Sequence, residues 1–130
     1  MTTIRDLRPA HDAIEVVVNS AVDNESTEQI MMDSLAAMSA SGVWRLLCDF
    51  SEAQQHANVP QILDMVKALV ALNPPEWRQA IIPPHDPGSL MAIETWEAAC
   101  NNRGLSVKVF YGRDRDEAMQ WLTTSQVDAG

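Results

Sequence analysis

The chain has 130 residues and a formal net charge of −9, with 46% hydrophobic and 21% charged residues. That length suits one domain, which buries roughly 65–70% of its unfolded surface and needs no metal or disulfide staple. The acidity argues against nucleic-acid phosphate and anionic membrane surfaces as partners, and no apolar run in the sequence is long enough for a membrane span.

Residues 3–7 read as a first strand, Pro9-Ala10-His11-Asp12 as a turn, and residues 13–20 (A-I-E-V-V-V-N-S) as a β-branched second strand. So short a connection makes the two antiparallel neighbours. Asp23-Asn24-Glu25-Ser26 then opens a helix, with carboxylates at the positive end of its dipole. Ile30, Met31, Leu35 and Met38 share one face of it, and Gly42 stands where a left-handed cap belongs. Residues 43–50 (V-W-R-L-L-C-D-F) form the next strand. After a polar loop over residues 51–58, Asn58 is placed to cap a second helix with Pro60 in its first turn. Ile62, Leu63, Met65, Val66, Leu69, Val70 and Leu72 give that helix a broad apolar face, and Asn73-Pro74-Pro75 stops it.

Residues 77–82 are a further strand, and residues 83–88 a rigid loop in which Asp86 caps a third helix with Pro87 at its first position. Leu90, Ile93, Trp96 and Cys100 recur there at helical spacing, and Asn101-Asn102-Arg103-Gly104 closes it. Residues 105–111 (L-S-V-K-V-F-Y) form the last strand, and residues 114–122 a short final helix that packs Ala118, Met119, Trp121 and Leu122 inward.

The order β-β-α-β-α-β-α-β-α predicts a single α/β domain, its core over about residues 3–122 and a flexible tail over residues 123–130. Strands joined through helices pair in parallel by right-handed crossovers. The expected sheet is therefore mixed and mostly parallel, of about five strands, with the first antiparallel. Alternation places Ile14, Val16, Val18, Trp44, Leu46, Cys48, Ile81, Val107 and Val109 on one face, and Glu15, Arg45, Arg78 and Lys108 on the other. Sheets covered on both faces have continuously apolar strands. The charged row therefore predicts helices mainly on one face, with the other partly wet or used for association. Gln79 fits poorly, because it shares the parity of Ile81.

Ligands of open α/β sheets gather outside the carboxyl ends of the strands. That rim offers Ser51, His56, Asn58, His85, Asp86 and Ser89 as candidate ligand-binding residues, with Tyr111 and Gly112 nearby. The helix starts at Asn58 and Asp86 aim backbone N–H groups there, which suits a carboxylate or phosphate. His11, His56 and His85 have no H-x-x-x-H spacing and Cys48 and Cys100 no C-x-x-C, so no metal site is expected. The two cysteines read as buried thiols. With no apolar signal core in residues 1–6, the cytoplasm is the expected compartment.

Asp49 ends a strand as a phosphoacceptor aspartate would. However, the second strand supplies no acidic pair and Lys108 lies mid-strand, so a local turn or capping bond is expected instead. No nucleophile elbow, phosphate loop or dinucleotide glycine fingerprint occurs, and no cofactor is implied. Glu94 and Glu97 read as a solvated helix face. Met31, Met32, Met38, Met65 and Met91 read mostly as core fillers, a minority lining an adaptable apolar pocket.

The tail L-S-V-K-V-F-Y-G-R-D-R-D-E-A-M-Q-W-L resembles the end of STAS-like domains of the SpoIIAA-like type, through Phe110, Glu117, Ala118, Trp121 and Leu122. V-W-R-L-L-C-D-F, ending at Asp49, and W-R-Q-A-I-I, with Ala80 central, are similar to two of that family's strands. The resemblance covers about residues 13–122 and implies strand–helix units with the helices on one side. The wider family includes anti-anti-sigma factors and transporter cytoplasmic domains, and it resembles lipid-carrying CRAL-TRIO domains. Its phosphorylated D-S-[SGT]-G motif is absent from residues 50–60, where Ser51 is the only hydroxyl.

The resulting expectation is a non-enzymatic domain acting by protein–protein contact or regulation, as a homodimer or with another protein. A small apolar or anionic ligand is expected at the rim, and neither nucleic acid nor membrane insertion. The alternatives are a CRAL-TRIO-like carrier of a small molecule or lipid in an apolar pocket, and an enzyme at the strand rim. An apolar cavity of several hundred Å³ favours the carrier, and a solid core with an exposed apolar patch favours the interaction module. Residues 1–42 hold seven acidic and two basic residues, so any charged partner of the first helix should be basic.

Overall fold

A computed structural model describes residues 2–8, 10–55 and 58–124. Its elements in chain order are β1 (Thr2–Asp6), β2 (Ile14–Val18), β3 (Ala21–Val22), α1 (Asn24–Ser41), β4 (Arg45–Asp49), β5 (Gln54–Gln55), α2 (Val59–Leu72), β6 (Arg78–Ile82), α3 (Pro87–Asn101), β7 (Ser106–Val109) and α4 (Arg115–Thr123). The main sheet runs β1-β2-β4-β6-β7, with β1 antiparallel to β2 and every other pair parallel. This is the mixed, mostly parallel sheet expected from the strand–helix alternation.

Each crossover steps to the next place in the same direction, and right-handed crossovers that never reverse lay their helices on one face. Accordingly α1, α2 and α3 share a core with the helix-facing side chains Ile14, Val16, Leu46, Cys48, Ile81 and Val107. The strand order has no reversal, so the rim lacks the switch-point crevice of doubly wound sheets. α4 follows the last strand, is not a crossover, and takes the opposite face. Ala118, Met119 and Leu122 pack there on Leu47, Ala80 and Ile82.

Asn58, Asp86 and Gly42 are the caps the sequence predicts, and Asp23 and Asp114 prove to be caps as well. Asp23, Asn58, Asp86 and Asp114 are N-caps whose side chains accept backbone N–H groups, and Gly42 closes α1 at φ 75°. The two-residue strands β3 and β5 were not foreseen. They pair in parallel ahead of α1 and α2 and tie the starts of those helices together.

The expected wet face needs correction. Arg45 donates to the Leu122 carbonyl, and Arg78 to those of Trp121 and Thr124, at the last turn of α4. Arg78 also lies 4.6 Å from the Trp121 ring centroid. Both cations thus serve the negative end of a helix dipole under a helix, not in open solvent. Of Arg45, Arg78 and Lys108, only Lys108 is exposed. Glu15 is fully buried on this face and ion-paired to Arg5 and Arg115, joining β1, β2 and the start of α4.

Candidate functional site

α1 packs on β1, β2 and β3, α3 packs on β7, and α2 packs on α3. Beneath α2 the helix-facing side of the sheet leaves a cavity of about 90 Å³. From α1 it is walled by Ile30, Met31, Leu35 and Met38, and from α2 by Ile62, Met65 and Leu69. Ala92, Ile93 and Trp96 of α3 close one side, and Leu46, Cys48, Gln79 and Ile81 form the floor. The lining contains no charged side chain.

Three of the polar side chains of this site form a short chain. Trp96 Nε1 donates to Gln79 Oε1 at 2.7 Å, and Gln79 Nε2 donates to Cys48 Sγ at 3.2 Å. Burial pushes the Cys48 thiol up to about 12, so it keeps its proton at neutral pH and supplies no thiolate nucleophile. Cys100, also buried, is pushed up to about 12 by the same cause. The chemistry on offer is apolar contact with a few neutral hydrogen-bonding groups.

The rim residues have structural partners. Ser51 donates from its hydroxyl to Asp49 Oδ1 at 2.6 Å, and its backbone N–H bonds the same oxygen at 3.0 Å, the local turn expected for Asp49. Asn58 caps Gln61 N–H, and its own N–H bonds Asn24 Oδ1 at 3.1 Å across to α1. Asp86 caps α3 at the N–H of buried Ser89, which brings those two together. His85 is exposed, and His56 lies outside the described residues. None of Ser51, Asn58, His85, Asp86 and Ser89 lines the cavity. Among the described residues, no group of three His, Cys, Asp or Glu is placed to hold a metal ion, and no helix is long and apolar enough to cross a membrane.

Glu94 and Glu97 are more than the solvated face their spacing suggested. Glu94 accepts from Tyr111 Oη at 2.6 Å, and Glu97 from Val109 N–H at 2.8 Å. Asn101 adds bonds to both Val107 N–H and its carbonyl, so α3 side chains occupy the free edge of β7 and guard it against strand pairing. The Glu94 hydrogen bond, which favours the neutral phenol, pushes Tyr111 up to about 12.

Rim reasoning missed the cavity, and the signals for it were the methionines, of which Met31, Met38 and Met65 line it, and Gln79. An amide at a core parity has to find buried partners, and here they are Trp96 and Cys48.

No protein-family model and no curated protein matches the sequence. Among solved structures, the chain is similar to the anti-sigma factor antagonist SpoIIAA in its unphosphorylated form, with TM-score 0.55 and 13% identity over 93% of this chain and 96% of that one. It is also similar to an uncharacterised DUF3478-family protein with a SpoIIAA-like fold from Shewanella loihica PV-4, with TM-score 0.55 and 18% identity over 94% of this chain and 92% of that one. With β1 antiparallel, three helices on one face and α4 on the other, the chain is a domain of SpoIIAA-like, STAS-type fold.

Proposed function

We propose that this domain is a non-enzymatic binding module that admits a small, largely apolar molecule between α1, α2, α3 and the sheet. One observation carries the reading: a cavity of about 90 Å³ within a core whose other face is closed. Native interiors hold few voids larger than a water molecule. A water needs only about 10–15 Å³ of such space, so this cavity takes a fragment of several heavy atoms. It falls short of the several hundred Å³ that marks a carrier of long lipid chains, which favours a compact ligand. Three wall residues are methionines, Met31, Met38 and Met65, whose unbranched side chains adapt to a guest. Of the rim residues, Asn58 and Asp86 enter this reading as the caps of α2 and α3, two of the helices around the cavity.

Native mass spectrometry of the purified chain tests it. The expected result is a single small-molecule adduct, either co-purified or formed with a panel of neutral apolar compounds, and lost in the cavity-filling variant Ala92→Phe. A bare mass under all these conditions contradicts it.

A second reading, contact with a protein partner or a second copy, is favoured by Met32 on α1 and Met91 on α3, which are 58% and 66% exposed. SpoIIAA, a neighbour in fold, is described as an anti-sigma factor antagonist. Sedimentation velocity distinguishes self-association. A concentration-dependent mass that Met32→Glu or Met91→Glu abolishes supports it, and an unchanging monomer contradicts it.

A further inference from the structure

The floor and side wall of the cavity carry more hydrogen-bonding capacity than their neighbours use. Trp77, Gln79 and Ile81 face the helices from consecutive same-side positions at and before β6, and all three line the cavity. Trp77 is 6% exposed, and its indole Nε1–H is a buried donor with no acceptor. Such donors are rare in native structures and call for an explanation. Two places along, the Gln79 amide donates to the Cys48 sulfur, a weak acceptor that an oxygen would outcompete. Trp96, by contrast, is satisfied by Gln79 Oε1. The unmet need is therefore for an acceptor. The lining offers no counter-charge, and an ionised group there would be desolvated without compensation.

Resting on the pocket reading above, we infer that the ligand is a neutral molecule whose buried end carries a hydrogen-bond acceptor, a carbonyl, ether or hydroxyl oxygen, received by the Trp77 indole N–H, with the Gln79 amide two residues along in the same lining. Nε1 is shielded from water by its neighbours. A ligand oxygen reaches it as the wall yields, and Met31, Met38 and Met65 are the flexible apolar side chains of the lining. Specificity then follows from polarity. A hydrocarbon leaves the donor orphaned, whereas an acceptor-bearing analogue of the same shape satisfies it.

Cyclopentanone and cyclopentane differ by this one acceptor and serve as probes of the full chain labelled with ¹⁵N. The Trp77 indole N–H resonance, assigned by its loss in Trp77→Phe, is expected to move downfield with the ketone and not with the hydrocarbon. Trp77→Phe is expected to weaken the ketone by about fivefold to tenfold and to leave the hydrocarbon within about twofold. If Trp77→Phe does not fold, the Trp77 indole resonance is assigned in the parent chain by its through-bond connectivity, and its response to the two probes carries the comparison alone. Binding of both probes with an unmoved Trp77 resonance, or equal losses for both, overturns the acceptor inference and leaves the pocket reading standing. Binding of neither probe overturns both.

Discussion

The two faces of the sheet are closed by different means. Three helices lie over one face and leave a cavity of about 90 Å³, whereas the nine-residue α4 closes the other. Below the sheet, Leu47, Ala80, Ala118 and Leu122 are all fully buried, and directional bonds hold the helix in place. Arg45 and Arg78 bind its last carbonyls, and Arg115 at its start pairs with buried Glu15. Above the sheet the side chains are mostly long and apolar, α1 and α2 are tied to each other at their N-terminal ends, and α3 is held to the edge of β7 by Glu97 and Asn101. Apolar contacts tolerate repacking, while hydrogen-bonded ends do not. The polar face thus fixes the scaffold, and the apolar face is left able to accept a guest.

Four perturbations break or sharpen that contrast. The largest effect belongs to the double variant Arg5→Ala/Arg115→Ala, which leaves Glu15 buried without a counter-charge. Urea denaturation at pH 7 should show a loss of about 3–5 kcal/mol, and a loss of less than about 1 kcal/mol would mean that the pair does not anchor α4. Next, Ala80→Leu on the α4 face should cost about 1–3 kcal/mol through overpacking, whereas Ala92→Leu grows into the cavity and should stay within about 1 kcal/mol of the parent. Equal costs would erase the difference between the faces. Asn58→Ala removes the α2 cap and should cost about 1 kcal/mol by the same assay.

The smallest effect is read spectroscopically. Tyr111 is the one tyrosine, so its phenolate absorbance reports a single site. It should titrate near 12 rather than 10.0, and Glu94→Gln should return it toward the ordinary value. Because the folded pKa is raised, the bond's contribution to stability is fully present below the unfolded value of 10.0 and is lost as pH rises through about 12.

Much of this was legible in the residues. Asp23, Asn58, Asp86 and Asp114 mark helix starts by side chains that accept N–H groups, and Gly42 marks an end by its left-handed conformation. Strand alternation separated the faces correctly, and the resemblance of the tail to SpoIIAA-like domains agrees with the fold. What alternation could not show is that α4 would lie over Arg45 and Arg78. A charged side chain at a strand position reads as solvent-facing, and only the three-dimensional path of residues 114–124 reveals carbonyls waiting for it. β3 and β5 are too short to leave a periodic signal. The cavity was legible only in outline. Apolar residues that fill a core and those that line a void look alike in sequence, so the methionines suggested a pocket, of which Met31, Met38 and Met65 are walls, without placing it.

Methionine methyl groups report on both faces at once. With ¹³C-methyl methionine and a neutral apolar ligand such as cyclopentanone, the Met31, Met38 and Met65 resonances, which surround the cavity, should shift and saturate together. Met119, packed under α4 on the opposite face, should not move. Still resonances at Met31, Met38 and Met65, or a shift of Met119 as large as theirs, would contradict a binding site confined to the space beneath α2.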